Sequence, residues 1–253
     1  MVDGGGAACE DGDPDRPRTH RSPPMPQSRS TRSFVRPLIA SLGLALAATT
    51  AQAAPAADIR ALAQQEQQPL LDTLRDLVQI ESGSKDLDGL NQIAARIAAE
   101  LKQLGGAVDI LQTTDIYRLD DTPEKIGPAV RAVFKGTGSA KIMLIAHMDT
   151  VYLKGMLKDQ PFRIDGDKAY GLGIADDKQG VATIIHTVAL LQKLNFKDYG
   201  TLTVLINGDE EISSPGWRST ITRTAAEQDA VFSFEGSDAS GTLRLATSGI
   251  GSA

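Results

Sequence analysis

Apolar residues recur along this chain at two spacings, and their alternation predicts its architecture. Over 57–79, Leu62, Leu70, Leu74, Leu77 and Val78 keep near the 3.6-residue period of one helix face, with Pro69 expected to kink or restart the helix. The period returns over 87–104 in Leu90, Ile93, Ala94, Ile97, Leu101 and Leu104, and Gly105-Gly106 stops it. Short apolar runs at 108–111, 130–134 and 142–146 read as strands, and 162–170 reads as a hairpin about Asp165-Gly166-Asp167. A helix is expected over 178–194, with Val181, Ile184, Ile185, Val188 and Leu191 inward and His186 off that stripe, partly exposed and not a ligand. A buried strand at 202–206, a short helix at 217–225 and strands at 230–234 and from Leu243 follow, with no internal repeat. Strands separated by helices predict an α/β fold with helices on both faces of a mixed, partly parallel sheet.

The first fifty residues break this pattern. Residues 1–24 are rich in Gly, Pro and charge with no apolar period, and are expected to be disordered or an upstream start called too early. From Met25, the basic residues Arg29, Arg32 and Arg36 precede an apolar stretch at 38–48 and a small-x-small site, Ala51-Gln52-Ala53. That order is expected of a signal peptide over 25–53, because the stretch is shorter than the ~20 apolar residues of a span. Residues 54–253 are then an exported domain, periplasmic or secreted, with no stable membrane association. The net charge of −6 argues against nucleic-acid partners, which need a basic stripe to displace counterions. Cys9 is the one cysteine and sits in the leader, so neither a disulfide framework within the chain nor thiolate chemistry is expected.

Chemistry collects where apolar runs end, which is where sites form in open α/β sheets. The run 142–146 delivers His147-Met148-Asp149, 202–206 delivers Asp209-Glu210-Glu211, and 230–234 delivers Glu235. Asp176-Asp177 follows Gly171-Leu172-Gly173 and opens the helix at Lys178. Zinc takes nitrogen from His and oxygen from Asp or Glu. Two such ions about 3.5–4 Å apart can share a water, lower its pKa and clamp a tetrahedral intermediate. His147 and Asp149 lie two apart on an extended segment, so their side chains point the same way and Asp149 can accept the imidazole's second N–H. Adjacent Glu210 and Glu211 suit a division between proton transfer and metal binding. Each piece also has a plainer reading: a structural histidine, a helix N-cap at Asp176-Asp177, a solvated loop at 209–211, an exposed turn at Glu235. Their succession at strand ends argues for one site.

These residues resemble the dizinc exopeptidase and deacylase superfamily, which includes aminoacylase, acetylornithine deacetylase and succinyl-diaminopimelate desuccinylase, and within it the bacterial folate-hydrolysing glutamate carboxypeptidases. The resemblance is carried by LIAHMDTVYLKG (144–155), PFRIDGDKAYGLGIADDKQG (161–180), YGTLTVLINGDEEISSPGWRS (199–219) and VFSFEGSD (231–238), with LLDTLRDLVQIESGS (70–84) and ATSGI (246–250) in agreement. It implies that His147 and Glu235 bind one zinc, Glu211 the other, and that Asp176 bridges them across a cis peptide to Asp177. It makes Glu210 the general base and Asp149 the residue orienting His147, with a small peptide or N-acyl amino acid as substrate. The family's dimerisation domain, its remaining catalytic segment and a last zinc-binding His would lie beyond this chain. The resemblance therefore implies a C-terminally truncated catalytic domain, inactive as written, from a homodimeric enzyme. Deacylation of N-acyl amino acids and non-catalytic binding of metal or solute are the alternative readings.

Overall fold

A computed structural model of the chain describes residues 56–236; the leader calls at 1–53 and the strand expected from Leu243 lie outside the described residues. The chain forms α1 (Ala56–Val78), α2 (Leu87–Gln103), β1 (Ala107–Leu111), β2 (Ala129–Lys135), β3 (Lys141–His147), β4 (Arg163–Asp165) and β5 (Lys168–Tyr170). It continues with α3 (Gln179–Lys193), β6 (Thr201–Asn207), α4 (Arg218–Ala226) and β7 (Ala230–Ser233). Five strands make one sheet in the order β1-β2-β6-β3-β7, and β4 and β5 pair separately as the expected hairpin. β1 is antiparallel to β2 and β2 to β6, whereas β3 runs parallel to both β6 and β7. The sheet is therefore mixed and partly parallel, and β3, β6 and β7 point their carboxyl ends the same way.

Alternation along the strands builds two cores. In β3 and β6, Leu144, Ala146, Leu202, Val204 and Ile206 turn to one face, where α1, α2 and α3 cover them with Leu77, Ile93, Ile97, Leu101, Val181 and Ile184. Met143 and Leu205 turn to the other, against Ile126, Trp217 and the α4 residues Ile221 and Ala225. The Trp217 indole N–H satisfies itself on the Gly127 carbonyl at 2.9 Å. Among the described residues no helix is long and apolar enough to cross a membrane.

Two sequence expectations need correction. α1 runs unbroken through Pro69 and does not restart there. Pro69 and Gln65 are both exposed, so the carbonyl left without its N–H partner is open to solvent. His186 is buried, not partly exposed, because α1 lies across the polar side of α3. Its Nδ1 is 2.9 Å from Glu66 Oε2 and its Nε2 is 3.0 Å from Thr73 Oγ1. Lys193 also donates to Glu66, closing a clamp between the two helices.

Burial pushes the Glu66 carboxyl up, but its hydrogen bonds and ion pairs with Lys193 and His186 outweigh this and hold it below the ordinary carboxylate range. A depressed folded-state pKa stabilises the fold above the unfolded value and loses that contribution as pH falls through the folded one. Glu66→Ala is therefore expected to cost about 2 kcal/mol at neutral pH. The difference from wild type should shrink as denaturant melts are repeated at increasingly acid pH.

Candidate metal centre

His147 is the last residue of β3 and is 1% exposed. Its Nε2 lies 2.9 Å from Asp176 Oδ1, 3.7 Å from Glu235 Oε1 and 3.9 Å from Glu210 Oε2. Each carboxylate arrives by a different route. Glu235 follows β7, and Glu210 opens the short helical turn Glu210–Ile212 just past β6. Asp176 belongs to the turn Ile174–Lys178 that leads into α3. Gly173 starts that turn at φ +67°, and a Cβ there would come within 2.4 Å of Thr150 Cγ2, so a side chain is excluded twice over. The Asp176-Asp177 peptide is cis.

Asp149 lies behind the imidazole with no exposed surface. Its carboxylate Oδ1 is 3.3 Å from His147 Nδ1, while its own backbone carbonyl is 3.1 Å from the same nitrogen. The residue thus faces Nδ1 with two acceptors, which leaves Nε2 toward the carboxylates. The Asp149 carboxylate also accepts the backbone N–H groups of Glu210 at 3.0 Å and Glu211 at 3.1 Å. Front and back differ in exposure: the Asp176, Glu210 and Glu235 side chains are 62, 48 and 47% exposed. Glu211 borders a cleft of about 550 Å³ walled by Ser84, Val151, Leu153, Lys154 and Ile212.

The crowding registers in His147, Glu210 and Glu211. Burial opposes a charged His147, but hydrogen bonds and charge from Asp149 and Glu235 push it up to about 12. Burial and the Asp176 charge push Glu211 up to about 7. Glu210 is raised by burial, with the imidazole opposing and Glu235, Asp149 and Asp176 adding to the rise. The negative charge here exceeds what one imidazole balances, and Lys178, the buried cation nearby, turns its Nζ away to the Ile80 carbonyl at 2.7 Å.

Sequence reasoning missed Asp177 and Asp209 as buried supports. Asp177 Oδ2 accepts the His147 backbone N–H at 3.3 Å, its Oδ1 has no partner among the described residues, and burial and Glu235 push it up to about 8. Asp209 holds the loop after β6 through Asn207 Nδ2 at 3.0 Å and the Gly216 N–H at 2.7 Å. Both stand beside named candidates in the sequence, and nothing local tells a supporting carboxylate from a ligating one.

One imidazole nitrogen and carboxylate oxygens are the donor set zinc takes. His147, Asp176 and Glu235 offer atoms that all lie within 4.8 Å of one another, so the residues present fit one divalent ion. Glu211 stands outside that trio, within electrostatic reach of Asp176.

The description peptidase family M20/M25/M40 matches residues 143–247, a stretch that contains His147, Asp149, Asp176, Glu210, Glu211 and Glu235. Carboxypeptidase G2 of Pseudomonas sp. (strain RS-16) is 43% identical over 215 residues, covering 84% of this chain and 50% of that protein. Over residues 143–247 the chain carries the peptidase family M20/M25/M40 domain. A putative succinyl-diaminopimelate desuccinylase of Mycobacterium tuberculosis (strain ATCC 25618 / H37Rv) is 29% identical over 149 residues, 57% of this chain and 36% of that one. The solved structure of a di-peptidase from Saccharomyces cerevisiae superposes with a TM-score of 0.59 at 21% identity, over 70% of this chain and 40% of its own, which shows the shared fold. The chain spans about half the length of this carboxypeptidase relative.

His147→Ala and Asp176→Asn are each expected to weaken zinc binding by at least about tenfold. Competition against a chromophoric chelator measures this, with Glu66→Gln as a variant remote from the cluster whose affinity should not change.

Proposed function

We propose that the whole protein is a zinc-dependent metallo-carboxypeptidase that hydrolyses the amide bond to a C-terminal glutamate or similar residue. The observation that carries this reading is the Glu210 carboxylate 3.9 Å from the imidazole nitrogen that heads the metal-fitting trio. A binding site has no use for an extra carboxylate there, whereas a hydrolase needs one for its proton. The likeness to carboxypeptidase G2 supports the reaction class.

In this reading His147 and Glu235 would hold one zinc and Glu211 the other, with Asp176 serving both. Bound metal supplies Lewis acidity, which lowers the pKa of a water and polarises the amide carbonyl. Glu210 takes the proton from the attacking water and passes it to the leaving nitrogen, a task suited to a carboxylate raised above its ordinary value. Asp149 keeps the His147 ring in one tautomer and orientation. Export through the 25–53 leader completes the proposal and places the reaction outside the cytoplasm.

Removal of an acyl group from an N-acyl amino acid is the second reading, and the desuccinylase relative favours it. The two separate on whether glutamate conjugates or N-succinyl amino acids are turned over faster. In the complete protein, Glu210→Gln is expected to keep zinc while losing 10²–10⁴-fold in kcat, on the order of a general base's contribution. Unchanged turnover in that variant removes Glu210 from the role.

A further inference from the structure

The Asp149 carboxylate has about four acceptor positions, and each meets a donor. Oδ1 faces the Glu210 N–H at 3.0 Å and His147 Nδ1 at 3.3 Å. Oδ2 faces the Glu211 N–H at 3.1 Å and, by the shortest contact of the four, the Ser84 hydroxyl at 2.8 Å. Three of these donors belong to the strand-end site. The fourth comes from the loop between α1 and α2, 65 positions earlier in the chain.

That loop is fixed in place. Ser84 N–H donates to the Thr150 carbonyl at 3.2 Å, Thr150 N–H to the Ser82 carbonyl at 2.9 Å, and the Ser82 hydroxyl to the Met148 carbonyl at 2.8 Å. Gly83 lets the two segments touch, since a Cβ there would fall 2.3 Å from the Tyr152 carbonyl oxygen. Ser84 is itself buried, and its other acceptor, the Thr150 carbonyl, is farther away at 3.4 Å. The hydroxyl proton is therefore committed to Asp149.

We infer that Ser84 is a positioning residue of the metal centre, its hydroxyl locking the Asp149 carboxylate so that one rigid group aims both the His147 ring and the Glu210-Glu211 turn. The inference rests on the proposed hydrolysis. Without the hydroxyl, Oδ2 keeps only the Glu211 N–H, and the carboxylate is free to turn about its last bond. A rotation there loosens the Glu210-Glu211 turn, which hangs on those two oxygens, and removes one of the two acceptors facing the imidazole, the other being the Asp149 backbone carbonyl at 3.1 Å.

The test compares Ser84→Ala and Ser84→Thr with wild type in the complete protein, by zinc competition against a chromophoric chelator, steady-state hydrolysis of a glutamate conjugate, and thermal melting. Ser84→Ala is expected to weaken zinc binding about tenfold, the scale of losing a group that orients a ligand. It should lower kcat about tenfold with KM unchanged, while Ser84→Thr, which keeps the hydroxyl, restores both. Wild-type zinc affinity in Ser84→Ala overturns the inference, and so does an equal loss in both variants, which would assign the effect to loop packing. If wild type hydrolyses no glutamate conjugate, the carboxypeptidase reading falls, and the zinc arm still decides the role of Ser84.

Discussion

Negative charge gathered round one buried imidazole is the constraint on which the rest of the structure depends. Asp149, Asp176, Glu210, Glu211 and Glu235 all converge on His147 from the ends of three parallel strands and the turn before α3. Such a cluster is unstable as a set of free anions, since each ionised member raises the pKa of the next. Burial opposes the upward shift of His147, which Asp149 and Glu235 impose, whereas Glu211 and Asp177 are raised first by burial and then by the neighbouring charges. A divalent cation held by the exposed oxygens relieves the repulsion among the carboxylates, which is why the donor chemistry and the electrostatics point to the same occupant.

The fold's contribution is to make this crowding tolerable and reproducible. The two cores fix the sheet, and the sheet fixes where β3, β6 and β7 end. Beyond those ends the chain is irregular, so its polar groups need partners that the ladder no longer supplies. Asp149, Asp177 and Asp209 provide them, each accepting backbone N–H groups from a neighbouring segment. Three buried carboxylates thus act as staples for the loops that carry the exposed ones.

How much of this the sequence revealed follows from the range of each interaction. The strands and helices were legible because burial against one core imposes a period of 2 or 3.6, and β3, α2, α3 and β6 fall within a residue or so of their expected bounds. The cluster was legible because three apolar runs, and the glycine turn before α3, end in possible ligands. His186 was misread because periodicity reports the face toward the sheet and cannot see α1 lying across the opposite side. The restart expected at Pro69 does not occur, because its cost depends on whether water can reach the freed carbonyl, a tertiary matter. Ser84 carries no local signal at all: a serine in a loop acquires meaning only when the α1–α2 loop and the end of β3 are brought together.

The contrast in exposure between the two sides of the site sets the direction of its chemistry. His147 and Asp149 are enclosed by the strand ends and the loop after α1, so neither can turn toward a ligand. Asp176, Glu210 and Glu235 are about half open, and Glu211 faces the cleft beside Val151 and Leu153. Anything that enters here must approach across the carboxylates, meeting their half-solvated oxygens before the fixed nitrogen. An arrangement with the order reversed, glutamates buried and imidazole in front, would still attract a cation but would leave no base in reach of an incoming water. Rigid nitrogen behind and half-solvated carboxylates in front is the arrangement that the proposed hydrolysis requires.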